Sequence, residues 1–133
     1  MRIDDIEGIG PAYAEKLMAV GIITVEGLLK AGATAKGRAE LAEKSGISGS
    51  LILEWTNAAD LYRIKGVGQE YADLLEEAGV DTVVELSKRV PANLHKKILE
   101  VNEAKKLVRR PPSEKMVAGW VAQAKELPRV VSY

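Results

Sequence analysis

Two short runs of this chain carry residue types at a spacing suited to holding an anion: Ile6-Glu7-Gly8-Ile9-Gly10 and Ile64-Lys65-Gly66-Val67-Gly68. In each, two glycines flank one aliphatic residue, which permits a tight turn and close approach by another backbone. With Val67 anchored inward, the amides of residues 66–70 are expected to point outward from a helix N-terminus. Outward N–H groups at the positive end of a helix dipole attract phosphate. Arg63 and Lys65 stand in front of this second hairpin, with Glu70 and Asp73 behind it. A basic stretch over 88–110 follows, densest at Lys96, Lys97, Lys105, Lys106, Arg109 and Arg110. Gly8, Ile9 and Gly10 are set instead among Asp4, Asp5, Glu7 and Glu15, which repel phosphate at short range. The first hairpin therefore reads as degenerate, structural or protein-facing, and the second as a weak phosphate grip.

Other chemistry is thinly supplied. The 133 residues contain no Cys and one His, which excludes a disulfide scaffold, a thiolate metal site, a cysteine nucleophile and a multi-His site. No phosphate-binding P-loop, nucleophile elbow or zinc spacing occurs, and the acidic cluster Glu76, Glu77, Asp81 and Glu85 has no fixed partner, so no enzyme is expected. His95, alone among lysines, reads as a surface residue. At 47% apolar and 29% charged the composition is that of a soluble globular protein. Apolar runs are short and Met-Arg-Ile-Asp-Asp is not a signal peptide, so a cytoplasmic protein without a membrane partner is expected. No small-molecule substrate is evident.

The elements that must position the hairpins come in two copies. Residues 6–28 align without gaps to 64–86, and ten of the 23 positions are identical, where average composition gives roughly one or two. At a longer offset, Leu51, Ile52, Trp55 and Ala59 match Met116, Val117, Trp120 and Ala124. The second copy thus holds seven extra residues, placed most simply in the KKLVRRPPS stretch. Charge divides along the chain: residues 1–86 carry 8 basic and 15 acidic side chains, net −7, and residues 87–133 carry 11 and 4, net +7, although the total is zero. That asymmetry suits either polyanion binding by one half or head-to-tail self-association.

Every periodic segment reads as helix. Pro11 opens a helix that runs to about Val20 and stops at Gly21. Thr24 and Thr82 are natural N-caps, Thr34, Ser48 and Ser113 begin further helices, Pro91 opens another, and Thr82-Val-Val-Glu85 has the form of a capping box. The count is about eight short helices, an all-α fold in one domain of two repeats, about 6–62 and 64–127. Trp55 and Trp120 are expected in the core, and Tyr13 and Tyr71 in packing with their hydroxyls tied locally. Only five residues precede Ile6, so helix 113–126, the counterpart of 48–62, is expected to complete the first unit.

The pattern Ile-x-Gly-Ile/Val-Gly-x-x-Tyr-Ala resembles the helix-hairpin-helix motif of DNA repair and recombination proteins. Its doubling looks like the tandem helix-hairpin-helix domain, whose two motifs are related by a pseudo-twofold axis. Essentially the whole chain resembles a bacterial family of helix-hairpin-helix domains of unknown function. For DNA-binding members the resemblance implies hairpin amides gripping phosphates in the minor groove, often beside a monovalent cation and a nearby Lys or Arg. The matching positions are Gly8, Ile9 and Gly10, and Gly66, Val67 and Gly68. Where DNA-binding hairpins place a basic residue two positions after the second glycine, this chain has Ala12 and Glu70. The related glycosylases use a Lys and an Asp in a larger fold absent here. Two functions follow: a protein-interaction, scaffold or self-associating module, slightly favoured by the acidic first hairpin and zero net charge, or weak sequence-independent binding of double-stranded DNA.

Overall fold

Hydroxyl caps divide the chain into its helices. In a computed structural model that describes residues 1–6 and 8–133, Thr24 Oγ1 accepts from the Gly27 N–H and Thr34 Oγ1 from that of Gly37, both at 3.0 Å. Thr82 accepts from Glu85 at 3.3 Å and Ser113 from Met116 at 3.1 Å. Each such cap satisfies an orphan donor and stabilises its helix by about 1 kcal/mol. Glu7, counted among the acids around the first hairpin, lies outside the described residues. Among those described there are eight α-helices and no strand: α1 (Pro11–Ala19), α2 (Val25–Ala31), α3 (Ala35–Ser45), α4 (Gly49–Leu61), α5 (Gln69–Glu77), α6 (Val83–Ser87), α7 (Pro91–Lys105) and α8 (Glu114–Glu126). The all-α expectation therefore holds. A 3₁₀ turn at Ile3–Asp5, which the sequence did not announce, follows a backbone bridge between Arg2 and Thr24.

Two compact units result, Met1–Asp60 with Val130–Tyr133, and Leu61–Arg129. In the first, α1 packs on α3 and on the 3₁₀ turn, and α2 on α3. Ile3, Leu17, Leu28 and Ile52 are fully buried there. In the second, α8 packs along both α6 and α7, and α5 against α7, over a core of Leu61, Ile64, Leu74, Leu75, Leu86, Leu94, Ile98 and Val117. Each fully buried Leu or Ile contributes about 1.5–3 kcal/mol, so every element is held through its apolar face. Helix 113–126 does not complete the first unit: as α8 it belongs to the second, with α6 and α7 as its partners. The reason lies in the tryptophans, which reach the hairpins of their own repeats.

Residues 58 positions apart adopt matching conformations. Gly8 has φ +90° and Gly66 φ +92°, values that side chains avoid. An indole lies over each: a Cβ on Gly8 would stand 3.7 Å from Trp55 Nε1, and one on Gly66 3.2 Å from Trp120 Nε1. Tyr13 packs on Trp55 and Tyr71 on Trp120, both with ring centroids 5.2 Å apart. Both tryptophans are buried core residues, as expected, and Ile9 and Val67 point inward.

The division by unit softens the charge asymmetry. The first unit carries six basic and nine acidic residues, net −3, and the second 13 and 10, net +3, because the acids between 70 and 85 fall in the second. Gly66→Ala is expected to destabilise the chain by about 1–2 kcal/mol, since the methyl group meets both a forbidden φ and the indole. Gly68→Ala, at negative φ with nothing near, stays within about 0.5 kcal/mol. Urea unfolding of the two variants checks the contrast.

Candidate functional site

The hairpin at 64–68 is built as a closed turn. The Val67 N–H donates to Ile64 O at 3.1 Å, and the Ile9 N–H to Ile6 O at the same distance. Val67 therefore does not offer its amide outward, which corrects the expectation for residues 66–70. Helix geometry leaves the Glu70 and Tyr71 N–H groups, in the first turn of α5, without an intrahelical partner, because the first such bond runs from Ala72 N to Gly68 O at 2.9 Å. In the first unit the corresponding turn begins with Pro11, which has no N–H, so that hairpin presents one donor fewer.

Around the second hairpin the predicted basic residues take different places. Arg63 is half-buried and donates from Nη1 to Pro128 O at 3.0 Å. Lys65 is exposed, and its backbone is clipped by Gln123, which accepts from its N–H at 2.9 Å and donates to its O at 3.2 Å. Lys96 and Lys97 stand exposed on α7, roughly 120–140° around the helix from Asn102 at 3.6 residues per turn, and are not among the residues that line the groove formed by the others. Lys105 is ion-paired with Glu77, an acid of its own unit.

Lys106, Arg109 and Arg110 do come together. With Glu70, Tyr71, Asn102, Leu107 and Val108 they line an open groove of about 850 Å³ that begins at the first turn of α5. The loop bearing them is pinned along its length. Asn102 Nδ2 donates to Val108 O at 3.1 Å while Asn102 Oδ1 accepts from the Val108 N–H at 3.0 Å, and the Val108 side chain is buried. The Tyr71 hydroxyl donates to Arg110 O at 3.1 Å. His95, expected at the surface, is half-buried and sets Nε2 3.0 Å from Pro112 O, so this nitrogen carries the proton. Lys106 caps α7 in the left-handed region, at φ 51°. Among the described residues it is the one non-glycine with positive φ, and its strain is held at the groove.

Chemically this is a rigid cradle with three cations, one opposing carboxylate at Glu70, and an apolar floor from Leu107 and Val108. The pinned backbone sets two exposed guanidinium side chains side by side, and a guanidinium's planar fork suits a phosphate or carboxylate. Among the described residues no group of His, Cys, Asp or Glu is placed to hold a metal ion, and no helix is long and apolar enough to cross a membrane.

Sequence reasoning found the cations of this groove but missed what holds them. Asn102 gave one signal, an amide side chain ahead of a helix end, where such groups bond nearby backbone. The structure also places a buried arginine outside every predicted set: Arg38, 7% exposed, donates from Nη1 to Gly32 O and from Nη2 to Ser132 O, both at 2.8 Å.

Lys106→Gly is expected to raise stability by up to about 1 kcal/mol, by relieving the left-handed strain. Asn102→Ala is expected to lower it by about 1–3 kcal/mol, since buried partners of the Val108 peptide lose their bonds. Thermal melts check both, and faster amide exchange at Val108 in the Asn102 variant locates the loss.

Residues 7–127 match the family described as Domain of unknown function (DUF4332). No curated protein and no solved structure matches the chain.

Proposed function

For a chain that belongs to the DUF4332 family of domains of unknown function, we propose a non-catalytic tandem helix-hairpin-helix module, cytoplasmic, whose second unit grips the phosphate backbone of double-stranded DNA without reading its sequence. One observation carries this reading: the loop with Lys106, Arg109 and Arg110 is immobilised beside the first-turn amides of α5, where the second hairpin ends. Phosphate neutralisation supplies most of the affinity in sequence-independent binding, and fixed cations next to helix-terminal N–H groups are the chemistry it needs. Gly66, Val67 and Gly68 then shape the turn that brings the α5 terminus to the surface, and Lys65 adds an exposed charge ahead of it. The pseudo-twofold relation of such modules belongs to the same reading.

The first unit supports a second role. Its hairpin at Gly8, Ile9 and Gly10 has exposed Asp4 and Asp5 near it in sequence, loses a donor at Pro11, and lies in the unit of net negative charge. It suits contact with protein rather than with phosphate, and it is the basis of the interaction or scaffold alternative.

Fluorescence anisotropy of a labelled duplex of about 20–30 base pairs, two to three helical turns, tests the proposal. Expected is a Kd in the range of about 1–100 μM at physiological salt, with log K falling by roughly 3 per decade of salt for three neutralised phosphates. Arg109→Glu with Arg110→Glu removes the binding, and Lys65→Glu weakens it less. Absence of binding even at low salt overturns the DNA reading and leaves the interaction module.

A further inference from the structure

Residues Val130–Tyr133 follow the last helix and are not covered by any hairpin or groove considered above, yet they are held as a ligand is held. Val131 is buried at 3% exposure in the first unit. Ser132 donates its N–H to Ala33 O at 2.8 Å, and its carbonyl accepts from Arg38 Nη2 at 2.8 Å. The Arg38 guanidinium lies 5.5 Å from the centroid of the Tyr133 ring, and the Tyr133 hydroxyl donates to Asn57 Oδ1 at 3.1 Å. Donor, acceptor, apolar side chain and aromatic ring of a three-residue extended segment each meet a dedicated partner. Main-chain bonds and one buried side chain, Val131, are the means by which a short peptide is recognised, with the Tyr133 ring, 62% exposed, lying at the rim.

The partners named, Gly32, Ala33, Arg38 and Asn57, all belong to residues 1–60. A segment of the same sequence arriving from another molecule therefore meets the same set. Arg38 adds a reason for the groove to be filled. Its buried guanidinium reads two main-chain carbonyls, Gly32 O and Ser132 O, so any extended backbone presented in that register completes its bonding. The hinge ahead of the segment is Leu127-Pro128-Arg129, and its Pro128 carbonyl is held by Arg63 of the second unit. Short hinges ahead of an identical, exchangeable element are where swapping between copies occurs at low cost.

We propose that the first unit is a docking groove for an extended Val-Ser-Tyr segment, filled in cis by Val131–Tyr133 and in trans by the same segment of a second copy, so that reciprocal exchange closes a dimer. Charge favours the encounter, because the segment leaves a unit of net +3 and enters one of net −3. The exchange creates no contact that the single chain lacks, so its extent is set by concentration. It is independent of the DNA reading, since none of its partners belongs to the second unit's groove.

The full chain tests this with two release variants. Val131→Asp puts a charge where the aliphatic side chain is buried, and Ser132→Pro deletes the donor to Ala33 without touching the core. Circular dichroism and a cooperative melt establish that each is folded. A dye-labelled peptide of residues 127–133 is expected to bind either variant at least about tenfold more tightly than it binds the unaltered chain, whose own segment competes. Arg38→Ala, added to either variant, removes that binding. Light scattering of the unaltered chain is expected to show a dimer growing with concentration, and the release variants to remain monomeric. Peptide binding that is absent from the folded variants or indifferent to Arg38 overturns the groove. A chain that stays monomeric up to about 1 mM, or dimerises equally well as Ser132→Pro, overturns the exchange.

Discussion

A tryptophan indole lodged over the leading glycine of each hairpin is the contact from which the remaining geometry follows. Beneath it the positive φ at positions 8 and 66 calls for glycine, at 66 reinforced by the close indole, and turns the chain sharply enough for a new helix to begin three residues later. The ring is in turn covered by a tyrosine one turn into that helix. Hairpin, following helix and the long helix of the same repeat are thereby locked together within about one side chain's reach. Aromatic burial of this kind contributes several kcal/mol and, through edge and offset packing, an orientation as well. Because α4 supplies the indole for the first hairpin and α8 for the second, each repeat carries its own closure.

In the second unit the same cluster reaches the surface. Tyr71 shares its ring with Trp120 and its hydroxyl with the carbonyl of Arg110, so one side chain ties the core to the cationic loop. The seven additional residues of the second repeat are used here, in a longer α7 and in the loop that follows it. The first repeat ends α3 on Gly46 at φ +73°, a residue at ease in that conformation, where the second ends α7 on Lys106. A lysine in that role exchanges local ease for a charge in the groove. The difference in length between the two copies is therefore concentrated at one edge of one unit, while the hairpin closure is kept in both.

The helices were legible because capping residues and apolar spacing act over three or four residues. Thr24 and Thr82 read as caps from sequence and Thr34 and Ser113 as helix starts, and each of the four caps its helix in the structure. Pairing of the tryptophans with their hairpins was not legible: spacing shows that Trp120 faces a core but says nothing of which core, and the apparent shortage of a leading helix pointed α8 to the wrong unit. The basic stretch was visible as composition, yet only long-range contacts sort it. Glu77 takes Lys105, helical phase turns Lys96 and Lys97 away, and the Asn102 clamp gathers the remaining three. Amide bonding inside the hairpin, Val67 to Ile64, is likewise set by turn geometry that a Gly-x-Gly pattern leaves open. Arg38 carried no signal at all, since a lone arginine in an amphipathic helix is ordinarily a solvated one.

The indole arrangement also has an optical consequence. The chain holds two tryptophans, one in each unit, each in contact with a tyrosine at the same centroid separation. Their emission is thus a sum of two nearly equivalent environments, and a change in one unit is diluted by the other. Replacing Trp55 by phenylalanine keeps a ring at the first hairpin and leaves Trp120 as the sole indole emitter. That chain is a built-in spectroscopic gauge of the second unit, with the fluorophore one tyrosine away from the cationic groove.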